Sequence, residues 1–281
     1  MARVETIFIT GASTGIGLAS ATMLSQLGFR VLAGVLPHED TTALNAMNIT
    51  CFHLDITNRE MVYDVAEKLN HQLSDSGLFG LLNNAGIAVS GPLEFTPMEE
   101  IRRQLEVNLF GHIQTTQALL PLIRKAKGRI VNITSLLGRV TSAFSGPYCM
   151  SKYAMEAFSD ALRLELAPLG VYVSAIEPGS IRTPIWGKFK DQATELAEEL
   201  PPEAQAVYGE KYQESIEVGM KWASEGISPE NVARKVVQAF TAKKPKTAYM
   251  VGIDAHQATL AKRLLPRSWF DAIIKIRFGI K

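Results

Sequence analysis

A chain of 281 residues, 47% hydrophobic and with a formal net charge of +1 at pH 7, has enough apolar mass for one substantial core and lacks the basic surplus that nucleic acid demands. Its only cysteines, Cys51 and Cys149, lie far apart, which argues against a disulfide framework or a zinc spacing and predicts a metal-free protein of a reducing, cytoplasmic compartment. No linker composition divides the chain, no apolar stretch is long enough to span a bilayer, and Met1-Ala2-Arg3 runs straight into a strand-like segment without a signal-peptide core, so a single domain over 1–281 is expected.

Short apolar runs alternate with longer helical patterns. Ile7-Phe8-Ile9 reads as a strand, Gly15 to Gln26 as a helix, and Arg30-Val31-Leu32-Ala33 and Cys51-Phe52-His53-Leu54 as strands. A helix near Arg59 to Leu69, a strand at Leu78 to Leu82, a helix near Glu100 to Ile123 and a strand at Arg129 to Thr134 continue the rhythm. A helix near Cys149 to Leu166 and a strand at Val171 to Ile176 follow. Strands apolar on both faces and separated by helices predict an α/β fold, a doubly wound parallel sheet covered on each side. Ligands of such sheets sit beyond the carboxyl ends of the strands, so the strand-to-helix loops should carry the chemistry.

The first of those loops is Thr10-Gly11-Ala12-Ser13-Thr14-Gly15-Ile16-Gly17, whose glycines permit a tight turn and let a pyrophosphate approach the backbone and the helix N-terminus. Its GxxxGxG spacing departs from GxGxxG. A second loop, Asn83-Asn84-Ala85-Gly86, ends a later strand and would face the same cleft, although such a run also suits a plain turn. Asp55, followed by Ile56, can accept hydrogen bonds from an adenine amino group or cap the next helix.

Tyr148 and Lys152, four apart, project from one face at the start of a helix. A free tyrosine titrates near pH ~10, and a neighbouring ammonium is expected to lower that value and make a usable base. Ser135, just past a buried strand, can donate to a carbonyl oxygen as negative charge develops on it. Asn108 is polar amid Val107, Leu109 and Phe110; it needs partners, and a water on its amide would link Lys152 to solvent as a proton relay.

Together with Pro178-Gly179, these motifs resemble, in order and spacing, the short-chain dehydrogenase/reductase family over about residues 4 to 185. The resemblance implies an NAD(P)-dependent oxidoreductase interconverting an alcohol and a carbonyl. Tyr148 would exchange the proton, Lys152 would lower its pKa and bind the nicotinamide ribose, Ser135 would orient the substrate oxygen, and Asn108 would support the relay. It also implies that Ile181 and Thr183 contact the nicotinamide carboxamide. The alternative of a catalytically silent NAD(P)-binding regulator requires a missing catalytic position, and none is missing.

Cofactor choice usually turns on the end of the second strand, where a carboxylate holds the ribose hydroxyls of NAD and a basic group pairs with the extra phosphate of NADP. Here Ala33-Gly34-Val35-Leu36-Pro37-His38 supplies neither, and Ser13 and Thr14 are uncharged. The segment is similar to that of the retinol and hydroxybutyrate dehydrogenase branch, whose members often use NAD, which implies a slight lean to NAD. Between 184 and 226 the rhythm stops in a helical insertion with Trp186, Phe189, Tyr208, Tyr212, Met220 and Trp222, a substrate lid by resemblance and suited to an apolar ligand such as a steroid, retinoid or acyl compound. Phe144 and Met150 should narrow the same pocket. The basic, apolar tail over 255–281 reads as an amphipathic helix, either packed on protein or in peripheral contact with a membrane. Many relatives pair through the two long helices, which implies a homodimer or homotetramer.

Overall fold

The computed structural model describes residues 4–277. Its strands are β1 (Thr6–Thr10), β2 (Arg30–Val35), β3 (Thr50–His53), β4 (Gly80–Asn83), β5 (Arg129–Ile133), β6 (Tyr172–Pro178) and β7 (Ala248–Val251). They form one all-parallel sheet in the order β3-β2-β1-β4-β5-β6-β7. The helices are α1 (Gly15–Gln26), α2 (Thr42–Ala46), α3 (Arg59–Gln72), α4 (Met98–Leu105), α5 (Gly111–Ala126), α6 (Gly146–Leu166), α7 (Ile185–Glu199), the short turn α8 (Pro202–Ala204), α9 (Glu210–Glu225), α10 (Pro229–Thr241), α11 (Ile253–Leu264) and α12 (Arg267–Arg277). The single doubly wound sheet anticipated from the apolar runs is present.

The period of two in the strands divides the core into layers. Ile7, Ile9, Val31, Ala33, Val131 and Ile133 point to one face, where they meet Leu24 of α1 and Val232, Val236 and Phe240 of α10. Phe8, Leu32, Leu81 and Ile130 point to the other and pack on Val65 and Leu69 of α3, Leu119 and Ile123 of α5 and Leu162 of α6. With both faces covered there is no solvated side to carry polar alternation, which is why these strands read as continuous apolar runs.

The helix expected from Glu100 to Ile123 is interrupted. A π-helical turn, Glu106–Phe110, separates α4 from α5, and such turns break the ordinary ladder and often mark functional sites. Helix α6 starts at Gly146, earlier than expected, because Pro147 occupies its first turn, where a missing N–H costs nothing. The edge strand β7 and the short α2 were not anticipated.

The insertion forms α7, α8 and α9 around an apolar cluster of its own, centred on Phe189, Leu196, Tyr212 and Ile216. Phe144 joins it rather than the cleft, with its ring 5.5 Å from that of Tyr212, and Met150 is exposed, so neither narrows the pocket as expected. Among the described residues no helix is long and apolar enough to cross a membrane. Helices α11 and α12 leave Ile253, Leu264, Trp269 and Ile276 in solvent while Phe270 is buried; the last four residues of the tail, 278–281, and Met1-Ala2-Arg3 lie outside the described residues.

Candidate active site

The sheet reverses its winding between β1 and β4, and a cavity of about 850 Å³ opens at the carboxyl ends of these strands. Gly11 (φ 62°) and Gly15 (φ 55°) take the left-handed conformation that turns β1 into α1. A Cβ on Gly11 would lie 2.8 Å from Ala85 Cα, and one on Gly17 would lie 2.1 Å from the Gly11 carbonyl oxygen. The two loops are also cross-bonded. Asn84 Nδ2 donates to the carbonyls of Thr10 (3.0 Å) and Gly11 (2.8 Å), while Thr10 Oγ1 accepts from the amides of Asn84 (3.0 Å) and Ala85 (3.2 Å). Thr14, extended at the N-cap of α1, offers no side-chain cap, so the first-turn amides remain available to an anion. A cradle that admits no Cβ, ending on an uncapped helix N-terminus, fits the pyrophosphate of a dinucleotide.

Of the residues expected to hold the cofactor, Gly11, Ser13, Thr14, Gly15, Ile16, Leu36, Asp55, Ile56, Asn84, Ala85, Gly86, Pro178, Gly179, Ile181 and Thr183 line this cavity, with Tyr148 and Lys152 at its floor and Ser135 beside them. Gly17 stands behind the loop and permits its close approach to α1. Gly34 also misses the cavity: it sits inside β2, where a Cβ would crowd Leu54 Cδ2 (3.0 Å) and Phe8 Cζ (3.1 Å). It is small because the sheet is tight there. His38 is exposed and lies off the cavity wall.

A carboxylate does reach the cavity after β2, from Glu39. The loop after β2 folds back so that Glu39 Oε2 accepts from Ser13 Oγ (2.6 Å) and from the Leu36 amide (3.3 Å), and Glu39 joins the cavity wall. Lys188 of α7 stands 3.9 Å from its other oxygen. Nothing in the local sequence distinguishes Glu39 from a solvated loop acid; only the reversal of the loop brings it in. Asp55 Oδ1 accepts from the Thr57 amide (2.9 Å) and hydroxyl (2.7 Å), and the cap of α3 is Asn58, whose side chain accepts from the Met61 amide. Asp55 is therefore a turn-forming residue on the cavity wall rather than a helix cap.

Lys152 is buried and donates to the Ile133 carbonyl at 2.9 Å, with its ammonium 5.6 Å from the Tyr148 ring centroid. Burial drives it down to about 8, and the nearby charge of Glu156 resists that fall. Burial also pushes Tyr148 up to about 12, while its hydrogen bond with Ser135 pulls the other way. The expected depression of the phenol by Lys152 is thus not what this arrangement gives: desolvation outweighs the Ser135 hydrogen bond, so Tyr148 holds its proton at neutral pH. Ser135 also accepts from the Leu137 amide at 3.0 Å.

Asn108 is fully buried in the π turn. Its Oδ1 accepts from the Ile87 amide (2.9 Å), and its Nδ2 donates to the Ile87 carbonyl (3.0 Å) and to Ser151 Oγ (3.2 Å). Both ends of the amide are engaged, so the side chain braces the chain after Gly86 and has no donor left for the water of the expected relay. His112, beneath the same loop, is pushed down to about 3 by burial and by the Lys152 charge, and its neutral ring contacts the Ala85 carbonyl at 2.8 Å.

Residues 5–194 match the family model described as short chain dehydrogenase. The chain belongs to that family. It is 42% identical over 277 residues to retinol dehydrogenase 5 of Mus musculus, covering 95% of this chain and 87% of that protein. It is 38% identical over 261 residues to the mitochondrial D-beta-hydroxybutyrate dehydrogenase of Bos taurus, covering 87% and 76%. A short-chain dehydrogenase from Streptomyces avermitilis superposes with a TM-score of 0.78 at 25% identity, each chain covered in full. As a short-chain dehydrogenase the protein is an NAD(P)-dependent oxidoreductase acting between alcohol and carbonyl.

Proposed function

We propose that this enzyme uses Tyr148 as general acid/base on an elongated apolar alcohol or its carbonyl counterpart, with NAD(H) as the preferred cofactor. The observation that carries the reading is the convergence of Ser135, Tyr148 and Lys152 on the floor of a cavity whose outer wall is Ile87, Val107, Trp186 and Phe189. When bound, the nicotinamide supplies or takes up the hydride. The residues do the rest. Ser135 holds the substrate oxygen, and Tyr148, protonated at neutral pH, gives its proton to that oxygen in reduction and recovers it in oxidation. Lys152, as an ammonium, steadies the phenolate left behind.

Four further readings stand beside this core. Glu39 is a carboxylate where an extra ribose phosphate would need a cation, which favours NAD(H). The aromatic wall from α7, and a relative named for retinol, favour a steroid- or retinoid-like substrate, with α7 to α9 as its lid. Exposed Phe110 and Leu164, next to α5 and on α6, suit pairing into a dimer or tetramer. The apolar side chains of α11 and α12, interspersed with Lys262, Arg263, Arg267 and Lys275, suit peripheral contact with an anionic membrane; sedimentation with anionic liposomes should weaken in a chain ending at Ala258.

The deciding experiment follows nicotinamide absorbance with NADH and NADPH in parallel against retinoids, steroids, acyl ketones and small polar ketones. Turnover of one apolar class, faster with NADH, is the expected result. Turnover confined to small polar ketones would overturn the substrate reading, and faster turnover with NADPH the cofactor reading.

A further inference from the structure

A second charged group lies behind the catalytic floor. Glu156 follows Lys152 by one turn on α6, the spacing that places two side chains on the same helix face. It is 6% exposed, and its Oε2 pairs with Arg139 Nη2 at 2.9 Å. The same guanidinium reaches Glu177 Oε1 on β6 at 2.8 Å, so one cation serves two buried carboxylates. Glu156 Oε1 lacks a hydrogen-bond partner of good geometry, although Thr134, whose hydroxyl donates to the Ile176 carbonyl, is near enough to favour the ionised form. Asp160, on its own helix, and Glu177 oppose that ionisation, and Arg139 assists it.

Arg139 is itself held in place. Tyr153 donates its hydroxyl proton to the Arg139 carbonyl at 2.6 Å, and Lys262 of α11 donates to the same carbonyl and, at 2.6 Å, to the Tyr153 hydroxyl. On the other side Gly138 presses the loop onto α6: a Cβ there would stand 2.9 Å from the Lys152 carbonyl oxygen and 3.1 Å from Glu156 Cγ. A buried carboxylate with half of its hydrogen-bonding capacity unmet is costly. One turn back on the same face of α6 stands buried Lys152, and the charge of Glu156 acts on it.

We infer that Glu156, clamped by Arg139, is a positioning residue that keeps Lys152 charged in its buried site and so sustains the proton exchange of Tyr148 on the alkaline side of neutrality. The inference rests on the reading of Tyr148 and Lys152 as the proton-handling pair. Glu156 titrates at about 7, raised by burial first, and Lys152 at about 8. Below both values Glu156 is neutral and Lys152 is an ammonium without its help. Above about 7 Glu156 becomes anionic and holds the Lys152 proton against loss. Removing that anion therefore matters little in acid and more as pH rises.

The test compares kcat/KM of wild type, Glu156→Gln, Arg139→Gln and Tyr148→Phe across pH, with NADH affinity followed by fluorescence at each point. The ratio of wild type to Glu156→Gln should grow about tenfold between about pH 6 and about pH 8.5, the factor that moving a proton equilibrium by one pH unit produces, and the change should fall on kcat more than on KM. Arg139→Gln, which leaves Glu156 and Glu177 without their shared cation, should show the same pH dependence, and Glu156→Asp, which keeps the charge and the Arg139 pair, keeps the test open if neither neutral variant folds. Restoring the charge with Glu156→Asp should restore the wild-type profile. A ratio constant across pH in both variants, with Tyr148→Phe inactive, would overturn the role of Glu156 alone. Substantial activity in Tyr148→Phe would instead remove the acid/base reading on which it stands.

Discussion

The two ends of the cleft are built on different principles. At the nucleotide end the chain itself is the binding surface: left-handed glycines, an uncapped helix N-terminus, and amide and carbonyl groups tied across from Asn84 and Thr10. At the other end α7 presents side chains, and these rest, with α9 behind them, on an apolar cluster that is separate from both layers of the sheet core. A backbone site tolerates almost no added atom, whereas a side-chain site exchanges volume for volume. One end can therefore stay fixed while the other is refitted to a new substrate.

The largest expected effect lies where the ends meet. Tyr148→Phe should lower turnover by a factor of about 10²–10⁴ while NADH affinity, measured by fluorescence titration, stays within about twofold. Next comes Gly17→Ala, where the new methyl would fall 2.1 Å from a carbonyl oxygen that cannot move without breaking the loop. A loss of about 3 kcal/mol in a denaturant melt, with NADH binding lost, is expected. A tolerated alanine here would break the contrast between the two ends. Phe189→Ala should cost about 3–5 kcal/mol by the usual scale for a buried aromatic, no less than the glycine variant, yet leave cofactor affinity intact and raise KM for an apolar substrate. Loss of NADH binding in that variant would mean that the insertion and the nucleotide end are one cooperative unit.

Glu39→Gln sharpens the comparison at the seam, since it changes a side chain within a backbone site. The preference for NADH over NADPH, as a ratio of kcat/KM, should fall by about tenfold, the effect of removing one close like-charge contact. The smallest effect is on stability. Glu156 binds its proton more tightly in the folded protein, at about 7 against 4.5, so the folded state holds more protons than the unfolded one between those values. Stability from this group is complete below about 4.5 and is lost as pH rises through about 7. Melting temperatures of wild type should therefore decline relative to Glu156→Gln across that window, and parallel curves would remove the assignment.

The features legible in the sequence were those in which one short segment carries the whole signal. Apolar runs marked six strands because burial on both faces leaves no other composition, and the glycine loop, Ser135, Tyr148 and Lys152 stand at strand ends or helix starts that a linear pattern can show. What escaped depends on the path of the chain in space. Glu39 acts only because a loop reverses onto Ser13, and Arg139, Glu156 and Glu177 meet from a loop, a helix and a strand. Gly34 carried a misleading signal, for its position at the end of β2 suggested the ribose while its true constraint is the contact with Phe8 and Leu54. The proton state of Tyr148 also eluded a pairwise argument, because burial of the phenol itself raises it by more than its hydrogen bond with Ser135 lowers it. Strand β7, four residues at the sheet edge after Lys243, Lys244 and Lys246, offered too short a run to separate from a turn.

The pairing of β1 with β4 bears on how the molecule reaches this state. Ile7 aligns with Gly80 and Ile9 with Leu82, so the central seam of the sheet joins segments that leave the ribosome far apart in time. Until β4 arrives, β1 has a neighbour only in β2 and exposes an edge of apolar residues able to pair with any other chain. Such distant contacts slow folding, and the exposed edge makes the waiting chain prone to aggregate. The seam that creates the cleft is thus also the step at which the nascent protein most needs protection.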